Sequence, residues 1–212
     1  MADRLKATTR PYRMAARAES AHANGERIVA VAHDLFAERL FDQVLLEDVS
    51  ARAGVTVRTV VRRFGTKEHL FALVAAERSR LIRGERDKTM PADVPGAVRT
   101  LIESYERWGD SVLHLLAQER RADAIAKGVR AGREFHRMWV ERVFSPLIKD
   151  TPSAQRKRRL AQLTAVTDVY TWKVLRRDLG LSRHEAEESV RELIDKIVAR
   201  RPDSTKGLGT LR

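Results

Sequence analysis

The chain contains no cysteine in 212 residues, so disulfides, thiol redox sensing and cysteine-ligated zinc are excluded. No apolar run approaches membrane-spanning length, and the amino terminus lacks the hydrophobic stretch of a signal peptide. By elimination the sequence reads as cytoplasmic, with no membrane partner. Strand patterns of useful length and internal repeats are missing too, which leaves an all-α chain. Catalytic constellations are equally absent. The six histidines (His22, His33, His69, His114, His136, His184) are scattered, and none has a second ligand at metal-site spacing. No glycine loop is built to cradle phosphate, and Ser111 and Ser145 lack a recognisable histidine–acid arrangement. Nothing here calls for an enzyme, a cofactor or a metal.

Acidic residues are in deficit. Asp and Glu number 29 against 41 Lys and Arg, a formal net charge of +12, with a pI near 10.6. Such a balance favours a polyanionic partner, nucleic acid being the simplest. The excess is not confined to one place: Arg156-Lys157-Arg158-Arg159 is either a solvated helix start or a second nucleic-acid contact.

Residues 46–64, LEDVSARAGVTVRTVVRRF, carry the most information. Val49, Ala53, Val55, Val60 and Phe64 are spaced to hold two short helices together. Ser50 and Ala53 are small enough for close approach, and Gly54 falls where the turn needs a residue tolerant of positive φ. The second helix then turns Thr56, Val57, Arg58, Thr59, Arg62 and Arg63 away from that core. Arginine reads guanine edges bidentately, and arginines and hydroxyls bind phosphate. A helical hairpin with a solvated basic face is the plain alternative. Upstream, Ile28, Val31, Ala32, Leu35 and Phe36 mark an amphipathic helix over 25–39. Downstream, Thr66 is an N-cap for a longer helix carrying Lys67, Glu68, Leu70, Phe71, Val74 and Leu81.

"AHDLFAERLFDQ", "VSARAGVTVRTVVRRFGTKEHLF" and the long helical remainder resemble the TetR family of transcriptional regulators. The resemblance covers roughly residues 25–75, and the carboxy-terminal run "YTWKVLRRDLGLSRHEAEESVRELIDKIV" is similar to the dimerising end of many members. It implies a sequence-specific DNA-binding regulator acting as a homodimer on duplex operator DNA. Three positions depart from the family pattern. Leu40 replaces the glycine that ends the first helix, implying strain or a helix that runs on. Leu45 replaces the N-cap threonine of the second helix, a loss on the order of 1 kcal/mol. Val61 replaces a tyrosine that would touch phosphate.

The rest of the chain organises around its punctuation. Residues 1–24 are polar and basic and read as a flexible arm, either a minor-groove or phosphate contact or an ordinary terminus. Residues 25–86 form the helix-turn-helix domain. DKTMPADVP over 87–95 is the boundary, and 95–201 form a larger helical effector and dimerisation domain, with a polar tail at 202–212. Within the larger domain the pattern predicts a helix through about Gln118, a short segment to Gly128 and a helix from about Ala131 to Ile148. A long helix follows, from Thr151-Pro152 to about Leu179. Gly180 is its left-handed cap, and a capping box at Ser182–Glu185 opens the last helix. About nine helices result.

The expected DNA-binding residues are Thr56, Val57, Arg58, Thr59, Arg62, Arg63 and Lys67, with Arg63 and Lys67 directed to phosphate. Tyr105, Trp108, His114, Phe135, Trp139 and Tyr170 line a pocket for a small, mainly apolar effector, or else belong to plain core packing. Trp172, Leu175, Val190, Leu193 and Ile197 form the dimer interface, or else an intramolecular core. These features together imply a repressor released from a pseudo-palindromic operator by a ligand. Its alternative is a helical protein contacting DNA without sequence preference.

Overall fold

Helix α1, Thr9–Glu38, is set by Ile28, Ala32, Leu35 and Phe36, which recur on one face and are all buried. The computed structural model describes residues 9–199, with side chains from residue 19. The start of the expected basic arm and the 202–212 tail lie outside the described residues, whereas 9–24 belong to α1 rather than to an arm. Eight further α-helices follow among the described residues, with no strand: α2 Leu46–Ala53, α3 Val57–Phe64, α4 Lys67–Arg86, α5 Val94–Leu116, α6 Asp123–Phe144, α7 Ser153–Val166, α8 Val169–Lys173 and α9 Arg183–Val198.

The first compact unit takes in the chain up to Leu81 and also His114–Ala131. Its core joins Ile28, Leu35, Phe36, Phe41, Val49, Val60, Phe64, Leu70, Phe71 and Val74 to Ile125 and Val129 of α6. Phe71 stands edge-on to Phe36 and Phe41, at ring centroid distances of 5.1 and 5.4 Å. Gln118 accepts the Phe41 N–H at 2.7 Å, and Arg121 pairs with Asp42 at 3.1 Å. The sequence boundary at 87–95 therefore missed a segment: 114–131 completes this unit although it follows the linker. Leu40 brings neither strain nor a longer helix. α1 stops at Glu38, and Leu40 takes an ordinary extended conformation at φ −64°.

The second unit comprises Ile82–Leu113 and the chain from Gly132 onward. Its interior is built from Val98, Leu101, Ile102 and Tyr105 of α5, Trp139, Val143 and Phe144 of α6, and Leu163, Trp172, Val190 and Ile194. Two helix boundaries differ from expectation. α6 is continuous through Gly128 and Gly132, whose missing side chains face open space, so neither glycine acts as a break. The predicted 151–179 helix is instead interrupted after Val166. Thr167 turns its hydroxyl back to the Leu163 carbonyl at 2.7 Å, and Asp168 caps α8 by accepting the Tyr170 N–H at 2.9 Å. A turn of π-helix, Val174–Asp178, follows α8. Gly180 has φ +68°, the left-handed cap expected, and the Ser182–Glu185 capping box forms in both directions.

Candidate nucleic-acid interface

The turn between α2 and α3 is made by Gly54, at φ 63° and ψ 38°, a conformation glycine adopts without a Cβ penalty. α2 begins without a side-chain cap at Leu45, but the Asp48 carboxylate accepts the Leu45 N–H at 3.4 Å and supplies half of the missing cap. Thr56 caps α3: its hydroxyl accepts the Thr59 N–H at 3.2 Å and lies 2.9 Å from the Thr59 hydroxyl. Val49, Ala53, Val60 and Phe64 are buried beneath. Their spacing fixes which face of α3 remains outside. Thr56, Arg58, Val61, Arg62 and Arg63 are exposed, with Val57 and Thr59 half-buried.

The basic side chains in and beside the helix-turn-helix divide by what they touch. Arg27 donates to the Ala53 carbonyl at 2.7 Å, closing the end of α2. Arg39 pairs with Asp48 at 3.1 Å. Arg52 forms a two-pronged bond with Glu38, which holds the Glu38 carboxyl below its usual range chiefly through that hydrogen bond. Arg63, expected on phosphate, donates instead to the Ala21 carbonyl of α1 at 2.6 Å and lies directly over Gly25. Lys67 donates to the Phe41 carbonyl at 3.0 Å and sits 4.5 Å above the Phe41 ring. Arg58 and Arg62 are different. Both are exposed, one turn apart on α3, and neither has a hydrogen bond or ion pair among the described residues. The helix-turn-helix thus spends its other cations on itself and leaves two aligned guanidinium groups facing out.

Residues 28–74 match the family described as bacterial regulatory proteins, tetR family. This segment is therefore a TetR-type helix-turn-helix domain. The match supports a DNA-binding transcriptional regulator, a role of binding rather than of catalysis. The fold is shared with a transcriptional regulator from Rhodococcus sp. Rha1, at 18% identity and a TM-score of 0.64, over 82% of this chain and 95% of that one. It is shared also with a candidate transcriptional regulator from Pseudomonas aeruginosa PAO1, at 13% identity and a TM-score of 0.62, over 82% and 89% of the two chains. No curated protein matches the sequence. No helix among the described residues is long and apolar enough to cross a membrane.

Beyond the TetR-type reader, the expected effector residues do not converge on one place. His114 lies in the first unit, bonded to the Arg39 carbonyl at 3.0 Å. Tyr170 is 52% exposed, and Phe135 lies under the Arg83 guanidinium at 5.0 Å. Trp108 is half-buried on α5. Tyr105 and Trp139 are each close to a further residue that the sequence pattern does not single out, Arg86. The Arg86 guanidinium is 4.9 Å from the Tyr105 ring and 5.5 Å from that of Trp139. It is 4% exposed. No periodicity announces it, since an arginine at the end of a helix ordinarily reads as a solvated cap.

The expected dimer residues also separate. Trp172 is buried within its own unit, packed on Tyr105 and donating its indole N–H to Glu106 at 2.9 Å. Val190 is likewise core. Neither is free for the expected interface, because the apolar stripe of these helices is wider than their outer face. Leu175 and Ile197 are half-buried. Leu193 is exposed, and so are Tyr170, Val174 and Leu179, which are not among the expected interface residues.

Proposed function

We propose that the chain is a homodimeric, cytoplasmic repressor that occupies a pseudo-palindromic operator and leaves it when a small molecule binds the 95–201 domain. Arg58 and Arg62 read base edges. Thr56, Val57 and Thr59 sit against the groove wall, and Lys67 lies at its rim. The observation that carries this reading is the pair of exposed arginines on α3, without a hydrogen bond or ion pair among the described residues, in a helix-turn-helix whose Arg52 and Arg63 are bound internally. Two copies paired through the exposed Tyr170, Val174, Leu179 and Leu193 would present two readers to half-sites about one helical turn apart, ~34–36 Å. α4 runs without a break from Lys67 to Arg86, a covalent route from effector to reader. The ligand need favour the non-binding geometry by only ~1–3 kcal/mol to change operator affinity several-fold to a hundred-fold.

The operator is obtained by sequencing DNA cross-linked to the protein. Gel-shift titrations of Arg58→Ala and Arg62→Ala on that fragment should then lose about 1–3 kcal/mol of discrimination for each bidentate guanine contact removed. Wild-type binding should survive a large excess of unrelated duplex. If both variants keep wild-type specificity, or unrelated duplex competes equally, the chain is a non-specific DNA-binding protein instead.

A further inference from the structure

Arg86 is a buried cation without a counter-ion among the described residues. A guanidinium keeps its charge in any protein interior, and burying one is costly unless an anion and hydrogen bonds compensate it. Here the aromatic faces of Tyr105 and Trp139 offer partial compensation through their quadrupoles. Arg86 Nη1 meets His136 Nδ1 at 3.2 Å. His136 Nε2 faces the Thr167 hydroxyl at 3.2 Å and the Thr164 carbonyl at 3.4 Å. That pattern suits a neutral imidazole accepting from Arg86 and donating onward. Burial, reinforced by the Arg86 charge, pushes the His136 pKa down to about 4.

Arg86 Nε is left buried with no partner, and so is the hydroxyl of Thr89, one turn further along the chain. The neighbouring carboxylates are committed elsewhere. Asp87 lies 3.8 Å from Arg142, Asp168 caps α8, and Glu106 is held by Arg176 and Trp172. Arg142 donates to the Arg86 and Thr89 carbonyls at 3.1 and 2.9 Å, anchoring the backbone that carries both unpartnered groups.

We propose that Arg86 is the anchor of an effector site for a carboxylate attached to an apolar body, the carboxylate meeting Arg86 and Thr89 and the body lying along Tyr105 and Trp139. The proposal rests on the effector reading above and narrows it to a chemical class. Carboxylate suits a planar guanidinium fork that lies beside two aromatic rings. A neutral molecule would leave the charge as it stands. Because Arg86 is the last residue of α4, its capture by a ligand acts directly on the helix that continues into the reader.

The test compares matched pairs of probes on the full-length protein by calorimetry: benzoate against benzamide, and hexanoate against hexanamide. Wild type should bind the carboxylate of at least one pair about tenfold or more tighter than its amide. Arg86→Met, which keeps the length and the aromatic walls, should abolish that preference. Arg86→Lys should retain part of it, and circular dichroism confirms that each variant is folded. Equal affinity for acid and amide, no carboxylate binding at millimolar concentration, or a preference that survives in Arg86→Met overturns the anion site. The wild-type comparison decides the matter even if neither variant folds. Operator release is read separately. Carboxylate binding that leaves the operator complex intact overturns the effector reading and leaves the anion site standing. Release of DNA by a neutral molecule, with equal affinity for acid and amide in wild type, does the reverse.

Discussion

Gly25 lies in the interior of α1 and is buried, where glycine is worse than alanine by about 1 kcal/mol. Its role is to make room for Arg63. A Cβ at this position would stand 2.1 Å from Arg63 Nη2 and 2.2 Å from its Cζ. Gly25→Ala must therefore expel the guanidinium and break its bond to the Ala21 carbonyl. That bond is exposed and contributes on the order of 1 kcal/mol. The obstacle is the far end of a flexible side chain, so the helix need not move. The two contributions nearly cancel, and urea unfolding should place Gly25→Ala within about 1 kcal/mol of wild type. What changes is the reader, because Arg63 is released beside Arg62 on α3. Each added phosphate contact steepens the dependence of log K on log salt by about 0.9, so the gain should be about one contact per half-site. Gel-shift titration across a salt series measures it, with Arg63→Ala as the control. In the native background Arg63→Ala should leave the slope unchanged, and in the Gly25→Ala background it should remove the gain. If Arg63→Ala alone flattens the native slope by about 0.9 per half-site, Arg63 leaves α1 on binding and the internal assignment fails.

Three further outcomes follow from the second unit. Gly109→Ala should destabilise the protein by about 1–2 kcal/mol in urea, because its Cβ would lie 2.5 Å from the Trp172 ring, which Glu106 holds in place, and overpacking outweighs the gain in helix propensity; equal or higher stability would refute the contact. His136 is held near pKa 4 in the fold against 6.5 ordinarily, so the unfolded chain takes up its proton first as pH falls; stability complete above about 6.5 should be lost on acidification toward about 4, by roughly 3 kcal/mol, and His136→Gln should remove that part of the pH slope. Val174→Arg with Leu193→Arg should give a folded monomer in analytical ultracentrifugation, whereas Trp172→Ala should lower the melting temperature; a double variant that stays dimeric would place the interface elsewhere.

The reader was legible because each of its decisions is local. Gly54 at a positive-φ turn, Thr56 at an N-cap and Val49, Val60 and Phe64 at close spacing each specify a neighbour within a few residues. Pattern alone separates the outward face of α3 from its core face. It does not say which outward cations are already occupied. Arg63 finds its partner 42 residues back, at Ala21, and Lys67 finds Phe41 26 residues back. Gly25 was the one available signal: a buried helical glycine on α1 needs something large opposite it.

The second unit was harder to read because its decisive groups break the rules on which periodicity rests. An apolar stripe shows that α8 and α9 are buried on one side. It cannot apportion Trp172 and Val190 to the interior, or Val174 and Leu193 to the outside, when the stripe exceeds the width of either face. Arg86 and His136 are invisible for the opposite reason. Buried polar groups carry no hydrophobic signature, and their pairing spans 50 residues. Such groups are retained against a continuing cost in stability, and replacing a buried ion by an apolar side chain of similar volume is often neutral or stabilising. If Arg86 served packing alone, methionine beside Tyr105 and Trp139 would serve as well. A measured rise in stability for Arg86→Met, together with loss of carboxylate binding, would separate what the fold requires at this position from what the regulator requires.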